Sequence, residues 1–399
     1  MEKILVIHGR QPGLGVAELE SIYGSGSVSR IGSGASLVRV NQKEFNFSRF
    51  GGMVKFCKVL LELDTVEWSE ITKFLCQAST EHSKKLEDGR LTIGLSVYGL
   101  NTDKKSVNDT AIKMKKAIKE TGRSVRVVPN KELTLNTAQV LHNKLTQKLG
   151  WELVFMRNGS KTIVAQSIAV QDIEKYTARD QNRPYRDAKI GMLPPKLAQI
   201  IINLAVGSPG LDLKIYDAFC GTGVILQEAL IMGHEAIGSD INPRMVEYSE
   251  KNLKWLTAQG SKVSPIGAEA NEIYSLSVAD ATKVKLDKNI NSIAGEIFLG
   301  PPLSIQPDLK ILSKITKECS QILEKFLKNV QDQTRPGFRM CLAIPAWKSK
   351  NGFNHLPTLD KLPNLGYNRV KFVHISNDEL VYHRPGQIVA RELVVLERK

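Results

Sequence analysis

Lys214-Ile-Tyr-Asp217-Ala-Phe-Cys-Gly221-Thr-Gly223 is the stretch of sequence that decides the fold. It predicts a strand that ends at Asp217, then a glycine turn, and then a helix from Val224 to Met232. Glycines in such a turn let the backbone approach a ligand closely, and the start of the helix offers free N–H groups. A dinucleotide site would carry a third glycine three places after Gly223, but Leu226 stands there, so the sequence disfavours a nicotinamide site.

Acidic residues stand at the ends of the next two predicted strands. The strand Glu235 to Ser239 leads to Asp240, at the distance where a carboxylate accepts hydrogen bonds from both ribose hydroxyls of a nucleoside cofactor. Asp280 lies where the following strand is expected to end, and there it either faces an adenine edge or caps a helix. Together with the glycine turn, these positions predict a pocket for a nucleoside cofactor.

The order of elements after about residue 195 predicts the class of fold. Strands and helices alternate there, which is typical of an α/β, Rossmann-like domain with a mostly parallel sheet and helices on both faces. A helix from Pro307 to Val330 has apolar residues at helical spacing and is expected to pack on the sheet. Strands Met340 to Ile344, Val370 to Ile375 and Glu392 to Leu396 are expected to complete it, the last two as an antiparallel pair.

Length and composition limit the kind of protein. A chain of 399 residues predicts two or three compact units. Its five cysteines are scattered without paired spacing, which favours buried thiols in a reducing compartment over a zinc site or disulfides. No signal peptide, membrane span or metal site is expected, so we predict a cytoplasmic protein.

Basic charge is concentrated in one segment of the chain. The formal net charge is +14, and residues 104–161 hold thirteen Lys and Arg against four Asp and Glu. A helix predicted over Ser106 to Glu120 has an apolar stripe on one face and leaves lysines for solvent or phosphate. Such a segment suits a polyanion such as RNA, and the alternative is a lysine-rich face that only aids solubility. The candidate RNA-binding residues are Lys113, Lys115, Lys116, Lys119, Arg123 and Arg126.

The residues around Asp217 and Asp240 resemble class I methyltransferases, and a longer resemblance lies upstream. Arg179-Asp-Gln-Asn-Arg-Pro-Tyr-Arg-Asp-Ala-Lys-Ile-Gly-Met-Leu-Pro-Pro-Lys-Leu-Ala198 is similar to the joint in THUMP-domain tRNA methyltransferases, the family that forms N2-methylguanosine at position ten of tRNA. Phe50-Gly51-Gly52 and the stretch Val164 to Glu174 are similar features. The resemblance covers nearly the whole chain.

The resemblance implies a domain order and a set of partners. It implies a ferredoxin-like lobe over residues 1–60, a THUMP RNA-binding domain over 61–170, a linker over 171–195 and a methyltransferase domain over 196–399. The implied cofactor is S-adenosylmethionine and the implied partner is tRNA. Eukaryotic relatives also work with a small zinc-binding activator protein, and the sequence does not decide oligomeric state. The implied cofactor-binding residues are Asp217, Phe219, Gly221, Gly223, Asp240 and Asp280.

The expected catalytic motif is altered in this chain. Amino-group methyltransferases carry Asp/Asn-Pro-Pro-aromatic after the fourth strand, where the acid or amide holds the amino hydrogens and the aromatic stacks on an extruded base. Counting from the strand places Glu296, Phe298 and Leu299 on this motif, and this is the register we favour. Matching the prolines instead places Gly300-Pro-Pro-Leu303 on it and loses the acid. Tyr382 is either a surface-loop residue or a substitute for the missing aromatic.

Three functions remain open from sequence. The favoured one is methylation of tRNA guanosine at N2, with Glu296 orienting the amino group. The second is a tRNA-binding scaffold that has lost turnover, which the altered motif supports and the intact cofactor residues oppose. The third is methyl transfer to a different RNA atom.

Overall fold

The computed structural model describes residues 2–186, 192–207, 210, 212–259, 274–303, 305–350 and 352–399. Residues 187–191, in the middle of the joint sequence quoted above, therefore lie outside the described residues. The chain forms two compact units. The first comprises Met1–Pro12, Gly26–Ser48 and Met53–Ile173, and the second comprises Gly13–Ser25, Arg49–Gly52 and Glu174–Lys399.

The helices and strands are numbered here in chain order. The strands are β1 (Glu2–His8), β2 (Val28–Ile31), β3 (Ala35–Val40), β4 (Met53–Leu63), β5 (Leu91–Tyr98), β6 (Val125–Val127), β7 (Gly150–Asn158), β8 (Lys161–Val170), β9 (Lys214–Asp217), β10 (Glu235–Asp240), β11 (Tyr274–Val278), β12 (Ser292–Glu296), β13 (Arg339–Ser349), β14 (Gly352–Asn354), β15 (Tyr367–Arg369), β16 (Val381–Tyr382) and β17 (Val389–Arg398). The helices are α1 (Pro12–Tyr23), α2 (Trp68–Ser83), α3 (Lys104–Lys119), α4 (Thr137–His142), α5 (Ile173–Gln181), α6 (Pro195–Val206), α7 (Val224–Ile231), α8 (Pro243–Gln259) and α9 (Leu309–Gln331).

The first unit contains one sheet in the order β2-β3-β1-β4-β8-β7-β5-β6. Its pairs are antiparallel, except that β5 runs parallel to both β6 and β7. Helices α2 and α3 cover β5 and β7 with a core that includes Trp68, Met114 and Phe155. The expected domain boundary at residue 60 falls inside β4, so strands from both sides of it share this sheet.

The second unit contains a sheet in the order β11-β10-β9-β12-β13-β17-β15. The first five strands of this path, from β11 to β13, run parallel to one another. Strand β17 is antiparallel to β13 and to β15. This confirms the predicted α/β class with a mostly parallel sheet. Because the order reverses between β9 and β12, the carboxyl ends of these two neighbours open a crevice where ligands bind in such folds.

Apolar side chains cover the sheet of the second unit on both faces. Helices α6 and α7 pack on one face, together with Leu14, Val16 and Ala17 of α1. Helix α9 and a 3₁₀ helix, Pro357–Leu365, pack on the other, where α9 contributes Phe326 and Leu327. The prediction that α9 packs on the sheet is confirmed, except at its start, where Leu309 is 84% exposed.

One local prediction was wrong. Residues 370–375 form no strand, because the backbone N–H groups of Val373 and His374 donate to the Glu20 carboxylate at 2.8 and 2.6 Å instead of to a sheet neighbour. The strand antiparallel to β17 is β15, just before them.

The described residues lack both a membrane-spanning helix and a metal-binding cluster. No helix among them is long and apolar enough to cross a membrane. They also contain no group of three or more His, Cys, Asp or Glu side chains placed to hold a metal ion.

Candidate active site

The glycine turn after β9 is tightly packed against α8. Gly221 and Gly223 have left-handed φ values of 51° and 83°, which favour glycine over other residues. A Cβ at Gly223 would lie 2.9 Å from Oγ and 3.2 Å from Cα of Ser249. The turn therefore needs glycine both for its conformation and for the close approach of α8.

Asp240 ties the end of β10 to this turn. Its Oδ2 accepts the N–H of Gly221 at 3.0 Å, and its Oδ1 accepts the N–H of Asn242 at 2.9 Å. An ionised carboxylate has about four acceptor positions, so two remain for a ligand. Ile241 follows directly and is 71% exposed. The sequence analysis missed Ile241, although an apolar residue between Asp240 and a helix cap was the signal that could have identified it.

Asp217 is buried at the end of β9. It is 2% exposed, and its Oδ1 accepts the N–H of Phe219 at 3.0 Å. Burial raises its pKa well above the usual value, and the charges of Asp240 and Glu296 add to the rise. A Cβ at Gly295 would lie 2.7 Å from Asp217 Oδ1. Glycine on the neighbouring strand β12 therefore leaves room for this carboxyl group.

Two other predicted cofactor residues have local contacts. The Phe219 ring packs edge-on against Phe326 of α9, with ring centroids 5.3 Å apart. Asp280 Oδ1 accepts the backbone N–H and the hydroxyl of Thr282, at 2.9 and 2.7 Å, and these bonds lower its pKa. Asp280 thus caps the turn that follows it, and its contact with a cofactor stays a prediction.

The residues of the favoured catalytic register lie at the end of β12. Glu296 is the last residue of this strand, Phe298 is 38% exposed and Leu299 is half-buried. Gly300 has a φ of 91° and lies in the exposed loop with Pro301 and Pro302, beyond the strand. The ends of adjacent strands β9, β10 and β12 therefore present Asp217, Asp240 and Glu296 beside the glycine turn.

Glu296 has a partner that the sequence analysis missed. Arg391 of β17 binds its carboxylate side-on, with Nε donating to Oε1 and Nη2 to Oε2, the latter at 3.5 Å. The Glu296 side chain is 16% exposed and the Arg391 side chain is 7% exposed. The available signal was a pair of adjacent charged residues, Arg391 and Glu392, beside the apolar run Leu393 to Leu396 in the strand Val389–Arg398.

Tyr382 lies beside this pair. It pairs with Arg391 across β16 and β17, and its hydroxyl accepts Nε of Arg384 at 2.6 Å. His383, for which the sequence offered no partner, contacts the carbonyl of Gln387 at 3.0 Å and packs edge-on against Phe353. The half-buried Tyr382 thus lies in a short strand rather than in a loop.

The joint sequence is partly built into the second unit. Arg179 of α5 donates Nε to Oε1 of the buried Glu228 at 2.7 Å. Asn252 of α8 donates to the carbonyl groups of Tyr185 and Thr222, at 2.8 and 2.9 Å. Thr222 is in the glycine turn, so Asn252 joins the described part of the linker to the candidate site.

The basic candidates are all in the first unit, on or near α3. Lys113, Lys116, Lys119 and Arg126 are exposed, and Lys115 is half-buried. Arg123 donates Nη2 to the carbonyl of Leu86 at 2.8 Å, so its guanidinium is partly engaged in holding the fold.

Solved structures and a family model define the class of this fold. The crystal structure of TrmN from Thermus thermophilus aligns over all of both chains, with a TM-score of 0.51 and 14% sequence identity. A likeness of this extent shows the fold, which is that of a class I methyltransferase. The model of the UPF0020 family, described as the RMKL-like methyltransferase domain, matches residues 183–344.

Curated proteins that match part of this chain have names that specify a reaction. A protein named tRNA (guanine(10)-N2)-dimethyltransferase from Methanothermobacter thermautotrophicus is 30% identical over 184 residues, which are 46% of this chain and 47% of that protein. The tRNA (guanine(10)-N(2))-methyltransferase of Schizosaccharomyces pombe is 25% identical over 209 residues, 47% of this chain and 42% of that one. The chain spans about half the length, or less, of the curated relatives it matches.

Proposed function

We propose that this chain transfers a methyl group from S-adenosylmethionine to the exocyclic N2 of a guanosine in tRNA, in the region of position ten. The names of the curated relatives supply the substrate. The observation that carries the proposal is the placement of Asp217, Asp240 and Glu296 at the ends of adjacent strands, next to the glycine turn.

The residues at the turn suit an adenosyl cofactor. Asp240 keeps free acceptor positions for the ribose hydroxyls, and the exposed Ile241 beside it offers an apolar face for the adenine. Gly221 and Gly223 allow the methionyl part to approach the backbone. When bound, the sulfonium makes its methyl carbon electrophilic.

Glu296 is proposed to act on the amino group of the target base. That nitrogen's lone pair is delocalised into the ring, so an acceptor must hold its hydrogens and turn the lone pair toward the methyl carbon. A bond then forms between N2 and the methyl carbon as the carbon–sulfur bond breaks, and the electron pair stays on sulfur. The amino proton passes to Glu296 or to water. The exposed Phe298 is proposed to stack on the extruded base, next to Leu299.

The first unit is proposed to supply RNA affinity. Within this proposal, residues 1–60 form a ferredoxin-like lobe and 61–170 a THUMP domain, followed by the linker 171–195 and the catalytic domain 196–399. The exposed lysines of α3 support a phosphate-binding face, because basic side chains there release counterions from RNA. A cytoplasmic location and a small activator protein are further proposals.

A methyl-transfer assay tests the proposed function. Wild-type protein, Glu296→Ala, Asp217→Ala and a control, Glu397→Ala, are incubated with labelled S-adenosylmethionine and unmodified tRNA, and the product nucleosides are separated. Glu397 is exposed on β17 and serves as a carboxylate outside the site. We expect N2-methylguanosine from wild type and from Glu397→Ala, and none from the other two.

Other products of the same assay identify the alternatives. Binding of tRNA and cofactor without transfer by the wild type would contradict the proposal and indicate a scaffold. A different methylated nucleoside would indicate another RNA atom as the acceptor.

A further inference from the structure

Arg391 is placed to act on Glu296 across one intervening strand. Ala343 of β13 pairs with Glu296 on one side and with Leu393 on the other, and Pro345 pairs with Arg391. Since side chains alternate along a strand, Arg391 lies on the same face of the sheet as Glu296. The small side chain of Ala343 leaves space for the arginine to reach over β13.

The contact fixes the direction of the carboxylate. Each of the two guanidinium nitrogens that face Glu296 donates to a different oxygen of its carboxylate. This paired arrangement is stronger and more directional than a single ion pair. The pair is nearly buried, so solvent competes little for it. A glutamate has one more rotatable bond than the aspartate or asparagine usual at this position, and the guanidinium removes that added freedom.

The contact also balances charge. Of the described residues, the ionisable groups known to act on Glu296 are Asp217 at the end of β9 and Arg391 on β17, while β13 contributes Ala343, which does not ionise. Asp240 adds a further carboxylate next to Asp217. Arg391 thus supplies a cation to Glu296, whose own charge acts on Asp217.

We propose that Arg391 is a positioning residue of the catalytic site, which holds the Glu296 carboxylate in a single orientation so that it presents its remaining acceptor positions to the substrate amino group. This inference rests on the proposed methyl transfer. Arg391 acts through Glu296 and itself touches neither the base nor the methyl group.

Substitutions at Arg391 test this role by kinetics. We expect Arg391→Met to lower kcat about 100-fold, the cost of misplacing a reacting group by about an ångström, with cofactor and tRNA dissociation constants within about twofold of wild type. Arg391→Lys keeps the charge without the paired contact, and its kcat is expected to be intermediate. Arg398→Met is the control, because Arg398 lies at the other end of β17 and contacts the carbonyl groups of Gln331 and Gly366. Its kcat is expected to equal that of wild type.

A double variant separates positioning from folding. In a Glu296→Gln background, Arg391→Met should cause no further loss of the residual kcat, because the partner through which it acts is gone. The double variant also lacks the unpaired buried carboxylate and remains usable if the single variant does not fold.

The outcomes are distinguishable. An active wild type together with an Arg391→Met variant that keeps kcat within twofold would overturn the role of Arg391 alone. Additive losses in the double variant would overturn it as well, since they indicate a structural effect independent of Glu296. A wild type that makes no N2-methylguanosine would overturn the proposed function and this inference together.

Discussion

At the scale of single residues, Gly223 and Ser249 set how closely the turn after β9 approaches α8. Position 223 requires glycine for two reasons. Its backbone is left-handed, and a Cβ there would lie only 2.9 Å from Ser249 Oγ. Gly337 has a similar φ of 80°, but a Cβ there would meet nothing within 4 Å. Substitutions at these two positions therefore separate the free-energy cost of a left-handed backbone from the cost of steric crowding.

Gly223→Ala is expected to lose cofactor binding, whereas Gly337→Ala is not. Both variants carry the cost of a left-handed alanine, about 1 kcal/mol of unfolding free energy. Only Gly223→Ala adds the contact with Ser249, which displaces the turn and should weaken cofactor binding at least tenfold. Urea unfolding and calorimetric titration with S-adenosylmethionine measure the two effects. Equal cofactor affinity in both variants would show that the turn does not contact the cofactor.

Protonation of His8 is expected to destabilise the first unit in acid. Burial lowers the pKa of His8 from 6.5 to about 3, with the Arg30 charge as a second cause, and its Nε2 lies 2.8 Å from Ser36 Oγ. The unfolded chain thus binds a proton below pH 6.5 that the folded chain does not bind until about pH 3. Stability contributed by neutral His8 is therefore lost as pH falls through this range, by about 1.4 kcal/mol per pH unit.

His8→Gln tests this pH dependence, because the glutamine amide replaces Nε2 without titrating. The fall in unfolding free energy between pH 6 and pH 5 should be smaller in this variant than in wild type. His142→Gln, at an exposed histidine, should match wild type. An equal pH dependence in all three proteins would contradict the assignment.

At the scale of elements, α1 contributes most of its polar contacts to the second unit. The buried Glu18 accepts the N–H groups of Gly51 and Gly52 at 3.0 and 2.7 Å, as well as Nδ2 of Asn203 at 2.9 Å. Glu20 accepts the N–H groups of Val373 and His374. This helix therefore anchors both the Gly51–Gly52 segment and the segment around Val373.

Glu20→Ala is expected to loosen the segment around Val373 and to destabilise the second unit. The change leaves two backbone N–H groups without their acceptor, at a cost of about 2–4 kcal/mol in unfolding free energy. Amide exchange of Val373 and His374 should accelerate together with this loss. Glu318→Ala, at an exposed position of α9, should change neither quantity. Unchanged exchange in Glu20→Ala would mean that these amides are held by other contacts.

At the scale of the whole molecule, the candidate RNA-binding residues and the candidate catalytic residues lie in different units. The candidate basic residues lie in the first unit, while Asp217, Asp240 and Glu296 lie in the second. A phosphate-binding face contributes affinity that depends on salt, because each neutralised phosphate releases counterions. Loss of that face should therefore alter tRNA binding and leave cofactor binding intact.

Lys113, Lys116 and Lys119 are expected to bind tRNA phosphates. Replacing all three by glutamine should weaken tRNA binding and lower the slope of log affinity against log salt by about two to three. The matched control replaces Lys317, Lys325 and Lys328, three exposed lysines of α9. Filter binding across a salt series measures both slopes. Equal slopes in the two triple variants would place the RNA contact elsewhere.

Local patterns identified the turn, the strand ends and the class of sheet. The order of strand, glycine turn and helix around Gly221 is encoded within about twenty residues, and so is the spacing to Asp240. The strand expected over Val370 to Ile375 failed for the opposite reason, since its alternating pattern gave no sign that Glu20, 353 residues earlier, accepts two of its N–H groups.

The sequence by itself determined the α/β class, the glycine turn and the acidic ends of β9, β10 and β12, because these follow from neighbours along the chain. Only the tertiary structure decided that Arg391 binds Glu296 and that α1 lies with the second unit. Arg391 and Glu296 are 95 positions apart, and Asn203 is 185 positions from its partner Glu18 in α1. A contact of that kind depends on which strands and helices become neighbours in the folded chain, and no local pattern carries that information.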